Sequence, residues 1–369
     1  MIRNQTRVVF AATAIVLTAC SGGDGETAQS TVPQTVATTP STTSTTTSTT
    51  STTTTTSTLP PVPPSTIPVD VLRMPLTGEP INDVSEIPNR PALAVKIPNN
   101  SEARPQAGLN EADIVFEEII EGEITRFAAV FHSQGTGTDP LGPIRSGRTQ
   151  DINILTAFRR PLFAWSGGNG GVTYQIEHSP LIDLSAQHAD GYYRRSGRHG
   201  APHNLFSSTD ALWAQAPADA EIPPVVFRYL APGEEVTGDP ASVIDVQMGG
   251  IKVHWEYDPE TDRYFRWQNG SAHNTESSGQ VWADNLEMYL ADYQPSFVDR
   301  RSPEAGTLGS NPVVIFTGGT VRTGVWLRFQ TIDPFTFFNN VDELVPLPLQ
   351  PGRTFVEIPR NIEGSVTWG

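Results

Sequence analysis

The spacing of apolar residues changes three times along this chain, and each change predicts a different kind of element. Behind Arg3 and Arg7, residues 8–17 form a mostly apolar run that ends in Leu17-Thr18-Ala19-Cys20. A run of about ten residues is too short to cross a bilayer, and the order of charge, apolar core and small residues is that of a secretory signal. Apolar positions then disappear. Residues 38–58 are all Thr, Ser or Pro, which can bury nothing and predict a disordered or extended stalk over 20–68. From residue 92 apolarity returns with a period of two: Leu93, Val95 and Ile97 alternate with Ala92, Ala94 and Lys96, as in a strand with one buried face.

Two further strands are predicted at 113–120 and 124–132, joined by a two-residue turn at Glu121-Gly122. Keeping the apolar side chains on one face sets the register: Phe116 pairs with Phe127, Ile114 with Ala129, and Glu117 with Arg126. Helical spacing follows at Ile152, Leu155 and Phe158, with Arg145 and Arg148 at or before the helix start, the end that favours anions. Two cations there predict a nearby carboxylate, Glu117 or Glu118, or a bound anion. Residues 162–165 read as a strand, 166–171 as a glycine-rich loop and 172–178 as a helix.

Beyond a Pro- and Gly-rich connector at 221–240, the alternation predicts strands at 251–256, 264–267, 286–290, 313–316, 325–329 and 355–358, with a turn at Gly318-Gly319. Lys252, His254 and Glu256 read as the solvated face of the first of these. The expected fold is α+β. An N-terminal mixed α/β domain at 69–228 precedes a mainly β C-terminal domain at 241–369, behind a signal peptide at 1–19 and the stalk.

Composition narrows function by exclusion. Cys20 is the only cysteine, so no second thiol is available as nucleophile, metal ligand or disulfide partner. A small residue before cysteine at a cleavage point resembles the lipobox of bacterial lipoproteins. Cys20 is thus the expected lipidation site, and the membrane, through that lipid, an expected partner, with the protein at the outer face of the bacterial cytoplasmic membrane. Roughly fifty stalk residues reach on the order of 150 Å when extended and about 40 Å as a flexible coil. A net charge of −16 repels phosphate backbones, so nucleic acid is not expected as a partner.

Motifs of familiar chemistry are missing. There is no Gly-x-Ser-x-Gly elbow and no His-Glu-x-x-His, and the glycine loop lacks the lysine of a P-loop and the spacing of a dinucleotide fingerprint. His199 and His203 stand four apart, but Pro202 opposes the helix that would aim both at one metal. Neither a metal nor a cofactor is expected. The aromatics Trp165, Tyr174, Tyr192, Tyr193 and Phe206 read first as core and second as a platform for sugar rings.

A resemblance adds to this. Arg90-Pro91, the run from Ala103 to Leu109 (Ala-Arg-Pro-Gln-Ala-Gly-Leu), the run from Ala112 to Glu117, Glu121-Gly122 with Ile124-Thr125-Arg126-Phe127, the run from Gly142 to Ser146 and Ala201-Pro202-His203-Asn204 together resemble the YerB-like family of bacterial lipoproteins. Its function is unknown. After Pro224 the likeness is sparser, resting on Tyr257-Asp258, Tyr264 with Arg266, His273, and Pro351-Gly352-Arg353-Thr354. The stalk is not part of the family pattern. The resemblance implies an extracytoplasmic lipoprotein and carries over Arg104, Gln106, Glu117, Arg126, Arg145, His203 and Asn204, with Arg148 just beyond its motif. The resulting expectation is a binding or scaffold module of the cell envelope. Its ligand residues are Arg104, Glu117, Arg126, Arg145, Arg148, His203 and Asn204, and a cell-wall or glycan molecule is its ligand. The alternative is a hydrolase of such a substrate, with Glu117 or Glu118 as acid or base and His203 assisting.

Overall fold

The computed structural model describes residues 71–188 and 191–369; the signal segment, Cys20 and the stalk lie outside them. Among the described residues no helix is long and apolar enough to cross a membrane. The period-two segments become β1 (Leu93–Pro98), β2 (Ile114–Ile119) and β3 (Thr125–Phe131). β3 lies between the other two and runs antiparallel to both. β4 (Leu162–Trp165) is parallel to β1, and β5 (Ile182–Ser185), a short strand missing from the sequence reading, is parallel to β4.

On its other side β2 continues the sheet into the second half of the chain. Thr354–Ile358 lies parallel to β2 and also to Asn285–Tyr289, and Gly309–Thr317, Thr320–Arg328 and Thr336–Phe338 follow as antiparallel neighbours. The connector at 221–240 is thus a boundary along the chain, while the sheet runs across it. Arg353, fully buried, fixes the join by donating to the carbonyls of Ala112 (2.9 Å) and Leu109 (2.7 Å). Before it, Gly352 has φ of +144°, and a Cβ there would lie 2.5 Å from Asp284 Oδ2, which explains the glycine of the Pro-Gly-Arg-Thr motif. At Gly318-Gly319 both φ angles are positive, and Thr317 pairs with Thr320 across the two-residue turn.

Both faces of the sheet are covered, so β1 does not have the single buried face that its alternation suggests. Leu93, Val95 and Ile97 join a core with Ile244, Val246, Met248, Val253, Trp255 and Tyr264 of a second sheet, whose central strands are Val243–Met248, Ile251–Asp258 and Arg263–Gln268. Ala92 and Ala94 join a core on the opposite face with Ile154 and Leu155 of α1 (Thr149–Leu155) and Val172 and Ile176 of α2 (Gly170–Glu177). Lys96, on that same face, is fully buried.

The β2–β3 hairpin differs from its expected register by one residue. Its loop has three residues, 121–123, closed by the Ile120 N–H donating to the Ile124 carbonyl at 2.9 Å. Gly122 and Glu123 both hold positive φ, at +77° and +57°. The extra residue sets Glu117 opposite Phe127 and Glu118 opposite Arg126. Because the side-chain period is two, one residue decides which face of the sheet each carboxylate enters.

Candidate functional site

Glu117 and Glu118, adjacent on β2, point to opposite faces and enter different polar clusters. Glu117 faces the second sheet. Its Oε1 accepts from Thr125 Oγ1 (2.6 Å) and Asn99 Nδ2 (3.0 Å), and its Oε2 accepts from Arg266 Nη2 (2.6 Å). Arg266 Nη1 donates to Gln268 Oε1 (2.8 Å) and to His273 Nδ1 (2.5 Å). That contact makes Nδ1 an acceptor, so His273 carries its proton on Nε2 and donates it to Gln106 Oε1 (2.9 Å); Gln106 in turn donates to the Pro98 carbonyl (2.9 Å). Burial and then the Arg266 charge hold His273 well below the ordinary imidazole range. Glu357 sits 3.7 Å from Arg266 Nε and accepts from Trp255 Nε1 (2.9 Å). Burial and the nearby Glu117 charge push its carboxyl well above the ordinary carboxylate range. Glu117, Arg266 and Glu357 are all fully buried.

The second cluster lies on the helix-covered face, where β1 and β4 part. Their pairing ends at Val95 and Ala164, and residues 144–146 wedge in beyond it. The Arg145 N–H donates to the Lys96 carbonyl, and the Arg145 carbonyl accepts from Ser166 N–H, both at 2.9 Å. Arg126, buried on β3, donates from Nη1 to the Ser146 carbonyl (2.8 Å), and its Nη2 is 4.0 Å from Glu121 Oε1. Burial first and then the charge of Arg148 pull Arg126 down to about 10. Arg148 grips Glu121 through two bonds, one of them from Nε at 2.8 Å, and this holds the Glu121 carboxyl down at about 2 despite its partial burial. Arg145 is half-buried, its Nε has no partner, and among the described residues its guanidinium makes no hydrogen bond. His203 Nε2 meets Asn100 Nδ2 at 3.1 Å, and burial followed by the Arg145 charge lowers its pKa. Beneath them Lys96 Nζ is shared between Glu118 and Asp151, the latter at 2.7 Å. Burial and the Asp151 charge push Glu118 up to about 7.

Four expected site residues therefore gather: Arg126, Arg145, Arg148 and His203. Glu117 does not join them. It lies sealed on the other face, and the acid partner of Arg148 is Glu121 rather than Glu117 or Glu118. Arg104, half-buried, is influenced by Arg266, Glu102 and Glu117 and so borders the sealed cluster. Asn204 Oδ1 accepts from Arg195 Nη1 (2.7 Å) rather than from Arg126, Arg145 or Arg148. With 0 % and 1 % exposure, neither Glu117 nor Glu118 can reach a substrate as an acid or base. Lys96, Asp151 and Glu121 were missed because a lone lysine in an apolar strand and an acid in a turn give no periodic signal. For a metal, the described residues offer Glu177, Asp183 and His188, whose ligand atoms lie within 4.8 Å of one another. Asp183 Oδ1 is already held by Trp165 Nε1 (2.7 Å) and Ser185 N–H (2.9 Å), and an imidazole between two surface carboxylates accounts for the group.

Residues 76–221 match the N-terminal domain, and residues 244–356 the C-terminal domain, of the family described as "Protein of unknown function (DUF3048)". The chain is 26% identical over 314 residues to "Putative lipoprotein YerB" of Bacillus subtilis (strain 168), covering 80% of this chain and 88% of that protein. The crystal structure of YerB from Bacillus subtilis superposes with a TM-score of 0.69 at 24% identity, covering 81% of this chain and 99% of that one, and so shares the fold. Two matched domains in order, a relative along most of the chain and a shared fold agree: this chain belongs to the DUF3048 family, to which its resemblance to YerB had pointed.

Proposed function

We propose that this chain is a lipid-anchored binding module of the cell envelope, held by Cys20 at the outer face of the bacterial cytoplasmic membrane. Its folded part takes an anionic ligand at Arg126, Arg145 and Arg148, with His203 beside them. One observation carries the reading: the half-buried Arg145 guanidinium has no partner, and its neighbour Arg126 is hydrogen-bonded only to a carbonyl, with Glu121, already gripped by Arg148, 4.0 Å away. Like charges held together under partial burial are costly unless a counter-charge arrives. In a chain of net charge −16 such a local surplus is not a by-product of composition.

Calorimetric titration of the purified protein with inorganic phosphate at low ionic strength tests the site. Saturable binding that weakens with salt and disappears in Arg145→Ala is expected; no binding in the native protein refutes the reading. The anchor is tested separately by Cys20→Ser, which is expected to leave the membrane fraction or remain unprocessed. Normal lipid labelling of that variant refutes it.

A further inference from the structure

A loop from the second half of the chain forms one wall of the arginine cluster. Residues 296–302 join the short strands Tyr293–Pro295 and Pro303–Ala305 and are tied down at several points. Ser302 Oγ donates to Glu121 Oε2 (3.3 Å), the acid that Arg148 grips, and Ser296 Oγ meets Thr149 Oγ1 (3.0 Å), the residue after Arg148. Within the loop, Ser296 N–H donates to the Ser302 carbonyl and Ser302 N–H to the Asp299 carbonyl, both at 2.8 Å. Val298 seats on the start of α2, where a Cβ at Gly171 would lie 3.0 Å from Val298 Cβ. The glycine-rich loop thus serves as a seat for this wall.

Between the anchored Ser296 and Val298, Phe297 is 96% exposed. No core contact explains a phenyl ring presented on a hydrogen-bonded loop, and its apolar face suits the C–H face of a sugar ring. Tyr174, three residues beyond Gly171 and so on the same face of α2, is a second exposed ring, stacked on His178 at 4.0 Å. Charge sets the other half of the ligand. Arg126 and Arg148 share Glu121 as their one direct acid partner and Arg145 has none, while Glu304 stands at the edge, bonded to Thr149 (3.1 Å); a phosphate ester of about −1 to −2 supplies a counter-charge to the arginines.

Building on the anion-binding reading, we infer that the ligand is a phosphorylated glycan of the cell wall, its phosphate on Arg126 and Arg145 and its sugar ring against Phe297. The test titrates inorganic phosphate, glucose and glucose 1-phosphate into the purified protein and into Phe297→Ala, a surface change that leaves folding intact, and adds sedimentation with phosphatidylglycerol–phosphatidylcholine vesicles. Glucose 1-phosphate is expected to bind at least about tenfold tighter than phosphate. Phe297→Ala should erase that preference and leave phosphate binding alone. Equal preference in both proteins overturns the inference while sparing the anion site, and no phosphate binding overturns the anion site itself. Vesicle binding that Phe297→Ala abolishes, without a sugar-phosphate preference, overturns the inference in favour of a bilayer.

Discussion

The two polar clusters on either side of β2 contain the same residue types and arrange them to opposite effect. Around Arg266 the charges are sealed from solvent, Glu117 is bonded directly to the guanidinium, and a chain of hydrogen bonds runs from Glu117 through His273 to the Pro98 carbonyl. Around Arg145 the guanidinium groups outnumber their one direct acid partner, Glu121, and one of them is unpaired. A closed network stabilises a fold, whereas a partly open one with surplus charge costs stability and is kept where something else completes it.

The comparison breaks first at Arg266. Arg266→Met leaves Glu117 buried without a counter-charge and should lower the stability measured by urea unfolding by about 3–5 kcal/mol; a loss under about 1 kcal/mol would mean the sealed cluster is not structural.

Acid comes next. His132 is buried, and desolvation followed by the Arg90 charge holds it down at about 4. A depressed imidazole takes its proton in the unfolded chain first, so stability should fall as pH drops from about 6.5 to about 4, by about 3 kcal/mol from this group. His132→Gln should flatten that slope, and an unchanged slope would count against a neutral buried imidazole.

Glu121→Gln sharpens the contrast. Its carboxyl, held down at about 2 by Arg148, stabilises the fold at pH values above its ordinary range, and that contribution fades as pH falls toward 2. The side chain is 38% exposed, so screening limits the loss at neutral pH to about 1 kcal/mol. Phosphate binding should tighten several-fold as Arg148 is released; weaker binding would make Glu121 a ligand residue. The smallest effect on stability is expected for Arg145→Ala, within about 0.5 kcal/mol, because no bond of its side chain is lost. A large loss there would erase the distinction between the clusters.

Period-two alternation located most of the strands of five or more residues, though not Val243–Met248, and the shared motifs placed Arg126, Arg145 and His203 on one list. The sequence pattern was ambiguous where a face carried alanines. Ala92 and Ala94 suit solvent or a helix-covered core equally well, so the second covered face and buried Lys96 stayed hidden. Apolar periodicity also cannot count the residues of a turn. The positive φ of Glu123 makes the 121–123 loop one residue longer than the Glu121-Gly122 reading, and that residue moved Glu117 away from Arg126. The Arg266–Glu117 pair spans 149 positions, a separation at which local patterning has no purchase.

Thr354–Ile358 has a consequence for how the chain is made. It is inserted between β2 and Asn285–Tyr289, so two strands synthesised long before it each wait with one open edge. The large sheet cannot close until residues 354–358 have left the ribosome. Thr354–Ile358 thus acts as a latch on the large sheet, one that shuts only when nearly all of the described chain has been made.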